Sequence, residues 1–216
     1  MRQFLEQVFS DERVSRLFYE APGGKSYHHS RLGGLICHTV SVAENCLKLA
    51  AGQDVDADIL VAGALLHDIG KIEAYDWSGA AFEMTDRSRL LGHIALGLML
   101  LNGLLLSSPE GLSEDRIAEL LHMVLSHHGS KDKGSPVELL TLEAEILHYA
   151  DEFDFKADRI GRAKEEAGEG SRWTEKIHVL GRSYYLGSRL AGGTPEERKE
   201  ETAVAEDQDE IWEEDS

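Results

Sequence analysis

Apolar positions recur at helical rather than strand spacing along nearly the whole chain. Residues 3–19 carry Phe4, Leu5, Val8, Phe9, Val14, Leu17 and Phe18, an interrupted amphipathic pattern that APGGKSYHHS then breaks. Leu35 to Ala50 reads as a second helix. Asp56 is placed to cap a third, whose apolar residues Ile59, Leu60, Ala62, Gly63 and Leu66 run into HDIG. EAYDWSGAAFEMT alternates aromatic and polar residues around Ser78-Gly79, which allows a short β-hairpin near residues 74–85 or an ordered loop. Leu90 to Leu106 is strongly apolar and helical. Ser113 and Arg116 open another helix that reaches LSHHG. Ser135-Pro136 has the order of an N-cap followed by a first-turn proline, and predicts the start of a long helix through DFKADRI. A last helix is expected from near Ser171, carrying Trp173, Ile177, Val179, Leu180 and Tyr184. The pattern predicts an all-α bundle of six to eight helices.

Composition narrows the setting. A chain of 216 residues with 42% hydrophobic content can bury one real core. No apolar run approaches the roughly 18–20 uninterrupted residues of a membrane span, and MRQFLEQVFSDERV lacks the basic-then-apolar order of a signal peptide, so a cytoplasmic protein without a membrane partner is expected. Cys37 and Cys46 fall in one helical pattern without CxxC spacing and read as reduced core residues.

The net charge of −18 is unevenly placed. From Pro195 to Ser216 acidic residues far outnumber Arg198 and Lys199, and this stretch holds about half the excess. Residues 1–190 are therefore expected to form the folded domain and 191–216 an acidic, disordered tail. The remaining body stays acidic and offers no basic footprint for a phosphate backbone.

Histidine placement brings in chemistry. His38 lies early in the second helix, His67-Asp68 at the end of the third, His93 near the start of the apolar helix, His127-His128 at the end of the next, and Asp151 midway along the long one. Each has strongly apolar neighbours, so all belong to core-facing segments. One ligand-type side chain per helix is how bundles gather a metal site, and imidazole with carboxylate suits zinc, manganese, nickel or iron.

These residues resemble the HD-domain metal-dependent phosphohydrolases, whose pattern is a His, a His-Asp doublet and a distant Asp, here His38, His67-Asp68 and Asp151. His93 and His127-His128 resemble the branch that holds two metals, in which the doublet aspartate bridges them. YHHSRLGGLICHTVSV, LLHDIGKI, LLGHI, LSHHGS and EAEILHYADEFDFK are similar to the catalytic half of the YhaM-type 3′-to-5′ exoribonucleases, over about residues 25–160. The resemblance implies an HD-domain helical bundle, one or two divalent transition-metal ions (manganese, iron, nickel or zinc) and phosphoester hydrolysis by a metal-activated water. A carboxylate has two oxygens where a neutral imidazole has one free lone pair, which suits Asp68 to bridging. One ion is then assigned His38, His67, Asp68 and Asp151, and the other Asp68, His93, His127 and, as an open choice, His128.

Lys71 follows Gly70, whose freedom to turn is expected to aim the ammonium back at a phosphate oxygen. Tyr27, His28, His29 and Asp154 are further candidate substrate contacts, Asp154 equally well a surface acid, while His122 reads as structural and His148 as a supporting partner of Asp151 or a rival ligand. The related nucleases carry an N-terminal OB-type nucleic-acid-binding domain, for which the segment before Tyr27 is too short. Nucleotides or short oligonucleotides are therefore the expected substrates, and long nucleic acid is not expected to bind unaided. Two alternatives stay open: a regulatory HD module that binds metal or nucleotide without turnover, and an exoribonuclease that relies on a separate RNA-binding partner. The oligomeric state is not legible.

Overall fold

The computed structural model describes residues 1–24, 31–77, 82–106, 112–168 and 170–187. Tyr27, His28, His29 and the acidic tail lie outside the described residues. Contacts divide the chain into two compact units, Met1–Asp158 and Arg159–Ser216.

The first unit is a helical bundle, as the apolar spacing predicts. Helices α1 (Arg2–Ser10) and α2 (Glu12–Glu20) are split at Asp11, whose extended backbone ends one helix while its carboxylate caps the next, accepting from Val14 N at 2.9 Å. Then follow α3 (Gly34–Ala50), α4 (Ala57–Leu66) and a single turn, α5 (Lys71–Ala74). Strands β1 (Tyr75–Asp76) and β2 (Glu83–Met84) pair antiparallel, Tyr75 with Met84 and Asp76 with Glu83, which is the small hairpin the sequence allows. Helices α6 (Asp86–Leu106), α7 (Glu114–Ser126) and α8 (Leu142–Glu165) complete the described helices.

The bundle is built around α4. Ile59, Leu60, Ala62, Gly63, Ala64 and Leu66 are all buried, so this helix is apolar all round and has core on both sides. One apolar cluster joins Ala62 and Leu66 to Phe4, Val8, Phe18, Leu35, Leu101 and Val124. The other joins Ile59, Leu60 and Ala64 to Val42, Cys46, Met123, Leu147 and Ala150. A helix so enclosed delivers whatever follows its last residue into the interior.

Helix α6 is long and apolar enough, by length and composition alone, to cross a membrane. Gly92, at φ 76° and ψ 156°, breaks it into two pieces, a conformation that a side chain would strain. The continuous stretch from His93 to Leu106 is ~21 Å long, short of the ~30 Å hydrocarbon layer. Ile94, Leu96, Gly97 and Leu101 are buried within the protein.

Three expectations need correction. The long helix does not start at Ser135-Pro136: Ser135 N closes a loop on Ser130 O at 3.1 Å, and Thr141 is the cap, its hydroxyl accepting from Ala144 N at 3.1 Å. Residues 171–187 are not a helix. Two antiparallel bridges, Trp173 with Tyr185 and Ile177 with Arg182, fold them back on themselves around the 3-10 turn His178–Leu180. Cys46 is buried, and burial pushes its thiol up to about 12, but Cys37 is exposed on the other side of α3.

Asp56 shows how the central helix is anchored. Its carboxylate accepts from Ile59 N at 3.0 Å and pairs with Arg116 of α7, and the guanidinium together with the backbone donor holds its pKa below the ordinary carboxylate range. A depressed folded-state pKa stabilises the fold above the unfolded value of about 3.9 and loses that contribution as pH falls through the folded value. Asp56→Ala is expected to lower stability at pH 7 by about 1 kcal/mol, the usual loss for a removed N-cap. Urea unfolding should show the gap from wild type narrowing below pH 4; a gap that is unchanged at acid pH would show that the charge contributes nothing.

Candidate metal centre

His67 and Asp68 directly follow α4, and the enclosure of that helix buries both, at 1% and 3% exposure. Four other helices bring side chains to the same point: α3 supplies His38, α6 His93, the end of α7 His127 and His128, and α8 Asp151. All seven ligand candidates read from the sequence meet here. Possible ligand atoms of His38, His67 and Asp151 lie within 4.8 Å of one another, and so do those of His93, His127 and His128.

Asp68 stands between the two groups. Its Oδ2 is 3.4 Å from both His38 Nε2 and His67 Nε2, while its Oδ1 is 3.2 Å from His93 Nε2 and 3.7 Å from His127 Nε2. Asp151 Oδ1 lies 3.2 Å from His38 Nε2 and 4.0 Å from His67 Nε2. Each oxygen of Asp68 thus faces a different histidine set.

The rings are held by their far nitrogens. His67 Nδ1 donates to Ala64 O and His127 Nδ1 to Val124 O, both at 2.8 Å, and His128 Nδ1 donates to Lys133 O at 3.0 Å. A carbonyl only accepts, so Nδ1 carries the proton in each ring and Nε2 turns a lone pair into the centre. His38 Nδ1 is fixed in the same way by Asp154 Oδ2 at 2.7 Å. His38 Nε2 and His67 Nε2 then face each other at 3.1 Å, an arrangement that calls for a proton or a cation between them. Asp68 Oδ1, His93 Nε2 and His127 Nε2 are buried without a hydrogen-bond partner. Such orphaned polar atoms are costly in a dry interior, and nitrogen and oxygen atoms of this kind are what a divalent ion requires, so the residues fit the metals expected of them. Imidazole fixed by a carboxylate or carbonyl is also how metal-bound histidine is commonly oriented.

Electrostatics follow the same division. Burial opposes charge on Asp68, yet Lys71, His67 and His38 outweigh it and hold the carboxyl well below its ordinary range. Burial also opposes charge on His38, but Asp151, Asp154 and Asp68 raise its proton affinity well above normal. On the other side, burial and then the neighbouring imidazoles push His127 and His128 down, leaving them neutral. The centre therefore attracts positive charge on the Asp151 side and presents free lone pairs on the other.

Lys71 is buried rather than solvated, with Nζ 2.5 Å from Asp68 Oδ2. Gly70 serves it differently from the expectation. Its backbone is ordinary right-handed helix, φ −64° and ψ −13°, but a Cβ there would run into His93 O and the backbone of Gly97. Glycine is needed for the close approach of α5 and α6, which sets Lys71 and His93 around Asp68.

Asp154 is not a surface acid: it is 6% exposed and spends an oxygen on His38. The sequence signal for this role was its position one turn after Asp151 on α8, the same face of the helix. His148 Nδ1 donates to His127 O at 2.8 Å, supporting the doublet from behind, and His122 Nε2 accepts from Leu140 N at 3.1 Å. Both are supporting residues, as expected.

Two outcomes follow from this geometry. Asp154→Ala should weaken metal binding at the His38 side by ~10- to 100-fold while the chain still folds, since an orienting partner is lost and no ligand is. Titration calorimetry with manganese checks this, and unaltered affinity would make Asp154 a packing residue only. Gly70→Ala should lower stability by ~1–3 kcal/mol, the range for overpacking, in a denaturant melt; a neutral result would mean that the α5–α6 approach is loose.

Comparison with known proteins identifies the family. Residues 35–156 match the family described as HD domain, a span that contains every residue of the centre. The chain is 37% identical over 179 residues to the 3′-5′ exoribonuclease YhaM of Geobacillus sp. (strain WCH70), covering 81% of this chain and 53% of that protein. It is 37% identical over 174 residues to the 3′-5′ exoribonuclease YhaM of Bacillus subtilis (strain 168), covering 78% and 53%. The chain spans about half the length of the curated relatives it matches. No solved structure matches. With the family match extending over more than half of its residues, the chain belongs to the HD domain family of metal-dependent phosphohydrolases.

Proposed function

We propose that the chain is a phosphodiesterase acting on nucleotides or short oligonucleotides. The observation that carries this reading is Asp68, a buried carboxylate whose two oxygens face two separate histidine groups. His38, His67, Asp151 and Asp68 would hold one divalent ion; His93, His127, His128 and Asp68 would hold the other. Manganese, iron, nickel and zinc all suit this nitrogen and oxygen set. When bound, such a pair neutralises a phosphodiester and lowers the pKa of a water to supply the nucleophile.

The chain's own groups supply the rest. Asp154 and the Ala64, Val124 and Lys133 carbonyls keep the imidazoles in the tautomer that binds. Lys71 lies against the Asp68 oxygen on the His38 side, where its ammonium can take a phosphate oxygen as charge shifts to the leaving group.

The exoribonuclease activity of the relatives supports nucleic acid as the substrate class, and the acidity of the body favours short pieces over long strands. Attack at an RNA 3′ end is a second reading, favoured by the 34–37% identity to exoribonucleases.

Purified protein with manganese is expected to hydrolyse bis-p-nitrophenyl phosphate, to stop on chelation and to recover on metal return. Asp68→Ala should reduce turnover by more than the roughly 10- to 100-fold that loss of an orienting residue costs. Bound metal without turnover on this ester or on short oligonucleotides would instead mark a regulatory module. His93→Ala and His127→Ala should each lower the metal content by one ion; unchanged content in both would argue for a single-metal site.

A further inference from the structure

Residues 170–187 are chemically unlike the rest of the chain. In a protein of net charge −18, Arg172, Lys176 and Arg182 face only Glu175 here, so the segment is positive. Its fold also gathers aromatic surface. As a helix it would hold Trp173 and Tyr185 ~18 Å apart. As bridge partners they stand side by side, with ring centroids 5.1 Å apart and planes inclined at 58°.

Both rings remain open to solvent, Trp173 at 58% and Tyr185 at 51% exposure. Arg172 is placed with them: its Cζ lies 5.5 Å from the Tyr185 ring centroid and its Nη2 donates to the Tyr185 hydroxyl at 3.0 Å. The backbone beneath fixes this arrangement. Leu186 N donates to Arg172 O, Thr174 N to Tyr184 O, and Tyr184 N to the Thr174 hydroxyl, each at 2.9 Å, while Ile177 N donates to Arg182 O at 3.0 Å. Thr174 and Leu186 are buried, so the aromatic pair is displayed from an anchored ribbon.

We propose that this hairpin is a stacking platform for the bases of a single-stranded nucleic acid, with Trp173 and Tyr185 meeting bases and Arg172, Lys176 and Arg182 meeting phosphates. Exposed rings accept any base because every base has a π-face, and flanking cations suit the backbone that joins the bases. The charge points to an anionic partner, since an apolar protein surface would gain nothing from three cations, and the paired open rings favour an anion that also carries stackable bases. The choice of nucleic acid rests on the phosphodiesterase reading, and the hairpin supplies the stacking surface that the sequence did not disclose.

The test is fluorescence anisotropy of the full chain with manganese and a labelled phosphorothioate RNA of about ten nucleotides, which resists cleavage. Trp173→Ala and Tyr185→Ala are each expected to raise Kd by about 10-fold, within the 1–3 kcal/mol that stacking on one base contributes. Trp173→Phe should restore most of the affinity, and an abasic strand of equal length should bind the wild type about 10-fold more weakly. Arg172→Gln and Lys176→Gln should each flatten the salt dependence of binding, a change that a merely structural role would not produce. Equal affinity for abasic and normal strands, or unchanged Kd in the aromatic variants, overturns the platform, as does failure of the wild type to bind. Absence of bis-p-nitrophenyl phosphate hydrolysis would overturn the phosphodiesterase reading alone, because anisotropy does not depend on turnover.

Discussion

Everything in the first unit depends on one buried carboxylate. Removing an ionised group from water costs several kcal/mol unless partners replace the solvent, and Asp68 is 3% exposed at the end of a helix that is apolar all round. Its partners arrive from every neighbouring element: Lys71 and His67 beside it in sequence, His38 from α3, His93 from α6 and His127 from α7. Packing of the helices and satisfaction of Asp68 are therefore one problem. Asp56 anchoring α4 to α7 and Gly70 admitting α6 are both conditions for the same convergence.

The site was largely legible in the sequence because each candidate ligand lies on, or directly after, a helix with strongly apolar residues. Once those faces are buried, His38, His67, His93, His127 and Asp151 have no direction to point but inward. Asp154 was harder: an acid next to a candidate ligand reads equally well as substrate contact or surface charge, and only the folded chain shows it buried against His38 Nδ1. Gly70 was read for the wrong property, because sequence shows that a side chain is missing and not which neighbour occupies its place.

The fold was legible where periodicity was strong and misread where local signals competed. Ser135-Pro136 has the residue order of a helix start, but its backbone is committed to the loop from Ser130, and Thr141 caps α8 instead. In residues 171–187 the apolar positions fit a helical period loosely, while the β-branched Thr174, Ile177 and Val179 and the aromatic residues suit bridges equally well. That ambiguity hid a basic, aromatic ribbon in an acidic chain. The candidate metal centre and the ribbon also differ in kind: one is made of buried groups fixed by helices, the other of exposed rings fixed by backbone hydrogen bonds.

Whether Asp68 bridges two ions is the central claim, and anomalous X-ray diffraction from crystals grown with manganese measures it directly. Two peaks are predicted, one among His38, His67 and Asp151 and the other among His93, His127 and His128, separated by roughly 3.5–4 Å with Asp68 bound to both. A single peak, or manganese bound away from Asp68, would contradict the account.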